Sequence, residues 1–488
     1  LLKNNNKFLL TFFKSYIYYI MSQVVPHKLV LTNDSLPLPG RYTRTRFPAT
    51  EGESTEISNI HIPPLRNAYL NCKDSFLTFS VTATVEGTLL PQADGQSGGN
   101  NLLLDPSGAC SFIRSITILQ NNSTVQHVDN YSKVHSMLQT TEASLSSSGI
   151  RSLLSGSSHF SVKTGNGIQG SVAGLTLEGL TIDGRMGRVV GTDGTSVTTP
   201  QMTFCLPIVG LLSSANIPLC MLKEGLTIRV NWSPDVRNSF YCHQAGTTAL
   251  QATITGIGSQ TFANVSFDCG VSTLDDASQL AVEQENNYKT EPIQWSGNDY
   301  YAGIRNTTID ELTTATSVEH ILGGFTFTST KNILYGSFCK PIGDINAPNV
   351  PHISHNKIRY RVNGVERPRN FIDTLAKMVQ HTAATTGGNS QSVATGLMCK
   401  DFTNINFRPL TGVASTIFGQ FCDRGVCGVS LNSFPAMDAI SGVDTRGGDI
   451  AVQLETSSVA STANMDTFFV GVFDVIYMIE DGVMKLSF

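Results

Sequence analysis

The 488-residue chain reads as an all-β protein: two tandem antiparallel β-sandwiches with short inserted helices. Three features predict this. Apolar and polar residues alternate with period two in segments spread along the whole length, as in strands buried on one face only. The connections are rich in Gly, Ser and Asn and show no alternation of strand with helix, which excludes a parallel α/β core. Two groups of elements also recur, in the same order, about half a chain later.

Residues 8–21 read FLLTFFKSYIYYIM, an apolar stretch interrupted by Lys14, too short to span a bilayer and followed by no small-residue cleavage site. The first methionine is Met21, so residues 1–20 are expected to be a leader ahead of the natural start. Residues 21–70 are expected to form an extended N-terminal arm, because Pro26, Pro37, Pro39, Pro48, Pro63 and Pro64 stand in a stretch with almost no periodicity. Arg41, Arg44 and Arg46 in this arm could touch phosphate, but three arginines among neutral residues read as a solvated or subunit-pairing stretch.

After the arm, Leu77, Phe79, Val81, Ala83 and Val85 alternate with Thr78, Ser80, Thr82 and Thr84, a half-buried strand. The same alternation recurs from Leu226 to Trp232, Val265 to Val271, Ile358 to Val362 and Ile450 to Leu454. Three helices are expected: residues 130–141, with Tyr131, Val134 and Leu138 on one face; residues 275–285, opened by an N-cap acid; and residues 370–380, with Phe371, Leu375, Met378 and Val379 together.

The recurrence is specific. Ile116, Ile118 and Asn121 are each 242 residues from Ile358, Tyr360 and Asn363, and Tyr131 and Leu138 are each 240 from Phe371 and Met378. Asn121-Asn122 and Asn363-Gly364 are pairs that tolerate the positive φ of a tight hairpin. Phe267, Asp268 and Val271, closed by Asp275-Asp276, return 206 residues later as Phe473, Asp474 and Tyr477, closed by Glu480-Asp481. The sandwiches are accordingly placed at residues 71–286 and 290–488.

Charge and chemistry narrow the function. With 33 Lys+Arg against 38 Asp+Glu the net charge is −5, so the whole molecule has no electrostatic footprint for condensing nucleic acid. Charged residues are 15%, below the roughly 25% of an ordinary soluble domain, which suits a surface largely buried against copies of itself and suits a secreted protein equally. Ten cysteines include no CxxC pair, and several, such as Cys205 and Cys269, sit in apolar runs, which favours a reducing compartment of assembly.

Every catalytic or metal motif fails on its context. The GxGxxG from Gly165 to Gly170 has no preceding strand and no following helix, and the GxSxG from Gly95 to Gly99 has no helix to form a nucleophile elbow. His352 and His355 on a strand would point to opposite faces, as would Cys242 and His243, and Cys422 with Cys427 has no second pair at zinc spacing. The acid pairs Asp275-Asp276 and Glu480-Asp481 read as a cap or a turn. Lys357, Arg359 and Arg361 share a strand face, read as a solvated face that discourages edge pairing, with nucleic acid or an acidic neighbour as the other reading. No catalytic, cofactor-binding or metal-ligating residue is assigned, and no enzyme is expected.

Residues 110–118 (CSFIRSITI) leading into 128–131 (VDNY), residues 264–267 (NVSF) with their acid-capped helix, and residues 357–368 (KIRYRVNGVERP) carry a resemblance. Across residues 65–488 the ordered pattern resembles the double jelly-roll major capsid proteins of the adenovirus, polinton and virophage lineage, and is most similar to those of polinton-like viruses and virophages. The resemblance implies two eight-stranded jelly rolls and a homotrimer that forms a pseudo-hexameric capsomer in the icosahedral shell of a DNA virus. It further implies capsomer–capsomer contacts, penton and minor capsid proteins as partners, a place in the virion after assembly inside the host cell, no specific nucleic-acid binding and no membrane span. Residues 145–198 match no pattern of that family. The alternatives are a penton- or spike-type jelly-roll virion protein, and a non-viral bicupin or carbohydrate-binding sandwich, for which HxH-spaced ligands are missing.

Overall fold

The computed structural model describes residues 40–88, 100–104, 108–142, 154–156, 196–199, 201–214, 216–236, 239–244, 253–254, 258–285, 292–305, 309–311, 318–327, 356–362, 364–372, 427–431, 450–456 and 465–487. In the first half, β1 (Gly40–Pro48), β2 (Ile57–Ile62), β3 (Ala68–Thr88), β4 (Ile113–Gln120), β5 (Ser123–Val128), β6 (Met202–Leu206), β7 (Leu226–Trp232) and β8 (Ser259–Leu274) form two antiparallel sheets. One runs in the order β1-β8-β3-β6, joined by short pieces such as Ile217–Pro218, and the other β2-β7-β4-β5.

The second half repeats this arrangement. Its strands are β9 (Ile293–Arg305), β10 (Ile309–Glu311), β11 (Val318–Phe327), β12 (Asn356–Val362), β13 (Val365–Ile372), β14 (Cys427–Ser430), β15 (Ile450–Thr456) and β16 (Met465–Glu480). They pair as β9-β16-β11-β14 and β10-β15-β12-β13. Each strand of the first half therefore has its counterpart eight strands later, and in both halves the chain crosses between sheets in the sequence of an eight-stranded jelly roll. The 242- and 206-residue offsets read from the sequence fall on these counterparts, whereas the 240-residue offset sets Tyr131 of the helix Tyr131–Glu142 against Phe371 of β13. Both bounds of β8 and β16 differ by 206. Gln120 pairs with Ser123 across Asn121 (φ 49°) and Asn122 (φ 60°), and 242 residues on Val362 pairs with Val365 beside Gly364 (φ 75°).

The stretch expected to be an arm is, from Gly40 onward, part of the sheets. β1 pairs with β8 residue for residue from Gly40↔Leu274 to Pro48↔Ser266, and β2 pairs with β7. The alternation was hidden because β1 is an edge strand whose sequence, RYTRTRF, offers only Phe47 to the core. Pro48 ends β1, and Pro63 and Pro64 follow β2, where no ladder N–H is lost.

Two of the three expected helices are present: α1 (Tyr131–Glu142) and α2 (Asp276–Glu285). Asp275 caps α2, since the Ser278 amide donates to its Oδ1 at 2.7 Å, and this bonding holds the carboxyl below its ordinary range. In the third segment, Phe371 and Ile372 end β13, and residues 373–380 lie outside the described residues. Both glycine motifs, His352, His355 and Cys422 also lie outside them. Among the described residues no helix is long and apolar enough to cross a membrane.

The first core is aromatic and sits between the two sheets. Phe79 of β3 lies 4.9 Å from Trp232 of β7 and 6.2 Å from Phe262 of β8, and Trp232 stacks on Phe262 at 4.0 Å and 8°. The Trp232 indole N–H donates to Ser58 Oγ at 2.9 Å, so the only polar atom of that ring is satisfied in the interior.

Candidate functional site: the seam between the sandwiches and the open edges

The apolar core runs without a break from the first sandwich into the second, where Ile293 and Trp295 of β9 and Val470, Val472 and Tyr477 of β16 join it. β9 lies against β5, α1 and the short helix Leu211–Ser214. Two glutamines of the β4–β5 hairpin hold this seam. Gln126, buried on β5, donates through Nε2 to Asp299 Oδ1 at 2.8 Å and Tyr477 Oη at 3.0 Å, with Asn298 O at 3.4 Å. Its Oε1 accepts from the Leu211 amide at 2.8 Å. The side-chain amide is thus fully used, mostly by groups of the other sandwich. Gly210 makes the room: at its φ of 93°, a Cβ would fall 2.4 Å from Gln126 Oε1.

Gln120 ends β4 and does the same at the other side of the seam. Its Nε2 donates to Gly482 O at 3.0 Å and Glu224 O at 3.2 Å, and its Oε1 accepts from the Met484 amide at 2.6 Å. Met484 belongs to β17 (Val483–Ser487), which returns along β16 after a two-residue turn with Asp481 at φ 52° and Gly482 at φ 76°. The Lys223 amide also donates to Gly482 O, at 3.1 Å. The second acid pair therefore forms a hairpin turn while the first caps a helix.

Burial sets the electrostatics of the seam. Asp299 is 8% exposed, and desolvation raises its carboxyl pKa against the opposing pull of the Gln126 bond. Burial likewise pushes the Tyr477 phenol well above its ordinary value, with the Asp299 charge adding to it. No sequence motif announced this network. The available signal was two glutamines interrupting the apolar alternation of the β4–β5 hairpin, but their partners in the second sandwich lie 172 to 364 residues away.

No family model and no curated protein matches the sequence. Solved structures do match the fold. The Sputnik virophage structure from cryo-EM at 3.5 Å matches with a TM-score of 0.55 at 12% identity, over 95% of this chain and 92% of that one. The quasi-atomic model of the PBCV-1 virus capsid matches with a TM-score of 0.53 at 9% identity, over 94% and 99%. The crystal structure of the mavirus major capsid protein matches with a TM-score of 0.50 at 11% identity, over 94% and 92%. The chain has the double jelly-roll fold.

In this double jelly roll, the counterparts of the two seam surfaces are open edges among the described residues. β1, the counterpart of β9, pairs among the described residues only with β8, and carries Tyr42 at 49% exposure. Of the three arginines read as possible phosphate contacts, Arg44 and Arg46 are engaged here by carboxylates. Arg44 Nη1 lies 3.2 Å from Asp74, which also accepts from the Tyr42 hydroxyl, and Arg46 bonds Ser266 at 2.9 Å and lies 3.6 Å from Asp268. β13, the counterpart of β5, pairs among the described residues only with β12 and carries Val365 at 56% exposure.

The basic stripe on β12 needs a correction. β12 lies between β13 and β15, so Lys357, Arg359 and Arg361 cannot serve to protect an edge. The register sets Lys357 opposite Glu455 and Arg361 opposite Glu366.

Among the described residues no group of three or more His, Cys, Asp or Glu side chains is placed to hold a metal. Cys242 and His243 are consecutive on the strand Phe240–Gln244, and Cys427 opens β14. Cys72, Cys205, Cys220 and Cys269 are free thiols, and the Cys110 thiol donates to Ser132 O at 3.6 Å. Burial raises Cys72, pushes Cys220 to about 11 and Cys269 to about 12, which suppresses thiolate chemistry at all three.

Proposed function

We propose that this double jelly roll is a major capsid protein, a structural virion component that works by self-association as a homotrimer and builds the icosahedral shell of a DNA virus. The first jelly roll would span residues 40–285 and the second 292–488. The observation that carries the reading is the direction of the seam. The β9 edge of the second sandwich docks on the β5 side of the first, so two similar bodies meet through different surfaces, head to tail. Such a heterologous contact closes a ring when its rotation divides the full circle, here by about sixty degrees per sandwich. One junction lies within each chain, and the matching edges β1 and β13 are, among the described residues, open for the next. Three chains would then supply six sandwiches around a pseudo-sixfold axis.

The matched Sputnik, PBCV-1 and mavirus structures come from virus particles or their major capsid protein, which supports the same role. Penton and minor capsid proteins are the further partners of this reading, and the low charge fits surfaces covered by siblings. Sedimentation equilibrium tests it. The purified chain should behave as three 52.6 kDa subunits, and V365R on β13 should shift it toward monomer. A wild-type chain that stays monomeric at every concentration contradicts the proposal.

A further inference from the structure

The two jelly rolls are repeats, yet the seam uses residues that the repeat does not share. Asp299 pairs with Phe473 on β16; the counterpart of Phe473 on β8 is Phe267, whose partner on β1 is Phe47. Tyr477 has Val271 as its counterpart, 206 residues earlier. On the other surface, Gln126 pairs with Ile118, whereas Tyr360, the counterpart of Ile118, pairs with Arg367. Gln120 has Val362 as its counterpart. The side-chain acceptors Asp299 and Tyr477 and the side-chain amides of Gln120 and Gln126 therefore have no counterpart in the repeat.

We propose that Gln126, with Asp299 and Tyr477, is the specificity determinant of the seam: it admits the β9 edge at the β5 side and rejects the otherwise similar β1 edge. This rests on the assembly reading above. A β1 edge of another copy docked on β5 would set Gln126 against Phe47 and Val271, neither of which offers a side-chain acceptor for its N–H groups. Burying those groups unpaired opposes the wrong contact without adding anything to the right one beyond its own bonds. The network so keeps each second sandwich on the first sandwich of its own chain and reserves β1 for the β13 side. Fixing register with a buried polar group is the best-attested use of such groups in assemblies.

The test is native mass spectrometry of the full chain. The double variant Q126M/D299L replaces the hub and its carboxylate with apolar side chains of comparable size, so packing is kept and the code is removed. The wild type should give one oligomer, and the variant, at a similar melting temperature, a ladder of dimers, tetramers and larger species as β1 edges compete for β5. D299N with Gln126 intact retains the Oδ1 acceptor and should keep the single species. If the double variant does not fold, Y477F, which deletes one acceptor, carries the test and should broaden the distribution. A single unchanged species in the folded double variant, or in Y477F when that variant replaces it, overturns the proposal while leaving the assembly reading standing. A monomeric wild type overturns both.

Discussion

Starting the chain at residue 67 instead of at Gly40 should abolish cooperative folding of the first sandwich. That deletion removes β1 along its whole pairing with β8, and β2 along its pairing with β7, so both sheets lose an edge strand. It also removes Phe47, Ile60 and Ile62, side chains that are buried or nearly so. At about 1.5–3 kcal/mol for each large apolar side chain, the lost burial comes to about 5–9 kcal/mol. A domain's whole stability is about 5–15 kcal/mol, so the truncated sandwich has little or nothing left. The assay is urea denaturation with limited proteolysis of two chains, one beginning at residue 40 and one at residue 67. The first should unfold as the full chain does, and the second should lose the cooperative transition and be digested within residues 68–285. Equal midpoints for the two would refute the placement of β1 and β2 in the sheets.

Other consequences follow from the seam and the core. Because the folded carboxyl of Asp299 is raised above its unfolded value, its contribution to stability is greatest at low pH and falls as pH rises from the ordinary carboxylate range through that raised value. D299N removes the slope, so its melting temperature relative to wild type should improve between about pH 4 and about pH 7, read by scanning calorimetry; a difference independent of pH contradicts this. G210A should cost about 1–3 kcal/mol from backbone strain and a similar amount from displacing Gln126, and an unchanged melting temperature would count against the seam geometry. Alkylation of the native chain at about pH 8 should spare Cys72 and Cys269, whose thiols are raised by burial, while denatured chain reacts at both, as peptide mass spectrometry would report.

The parts of the fold legible in the sequence are those fixed by local chemistry. The alternation of β3, β7 and β8 follows from one buried face, the hairpin at Asn121 and Asn122 from their tolerance of positive φ, and the start of α2 from the Asp275 cap. β1 escaped because an edge strand with one buried residue, Phe47, has no apolar face to display. β12 looked like a protected edge because the three basic residues are visible in the sequence, whereas the flanking strands that carry Glu366 and Glu455 are set only by the fold. The seam was hidden for the same reason: Gln126 is an ordinary strand residue until Asp299 and Tyr477 are brought to it. The internal repeat was legible because β8 and β16 share one length, with both bounds 206 residues apart.

The central claim is that head-to-tail docking of two jelly rolls within a chain continues between chains until a ring of six closes. Electron microscopy of the purified protein tests it most directly. Single-particle averages should display a threefold, six-lobed hexagonal outline; two-lobed particles at every concentration, or open strings of lobes, would contradict it.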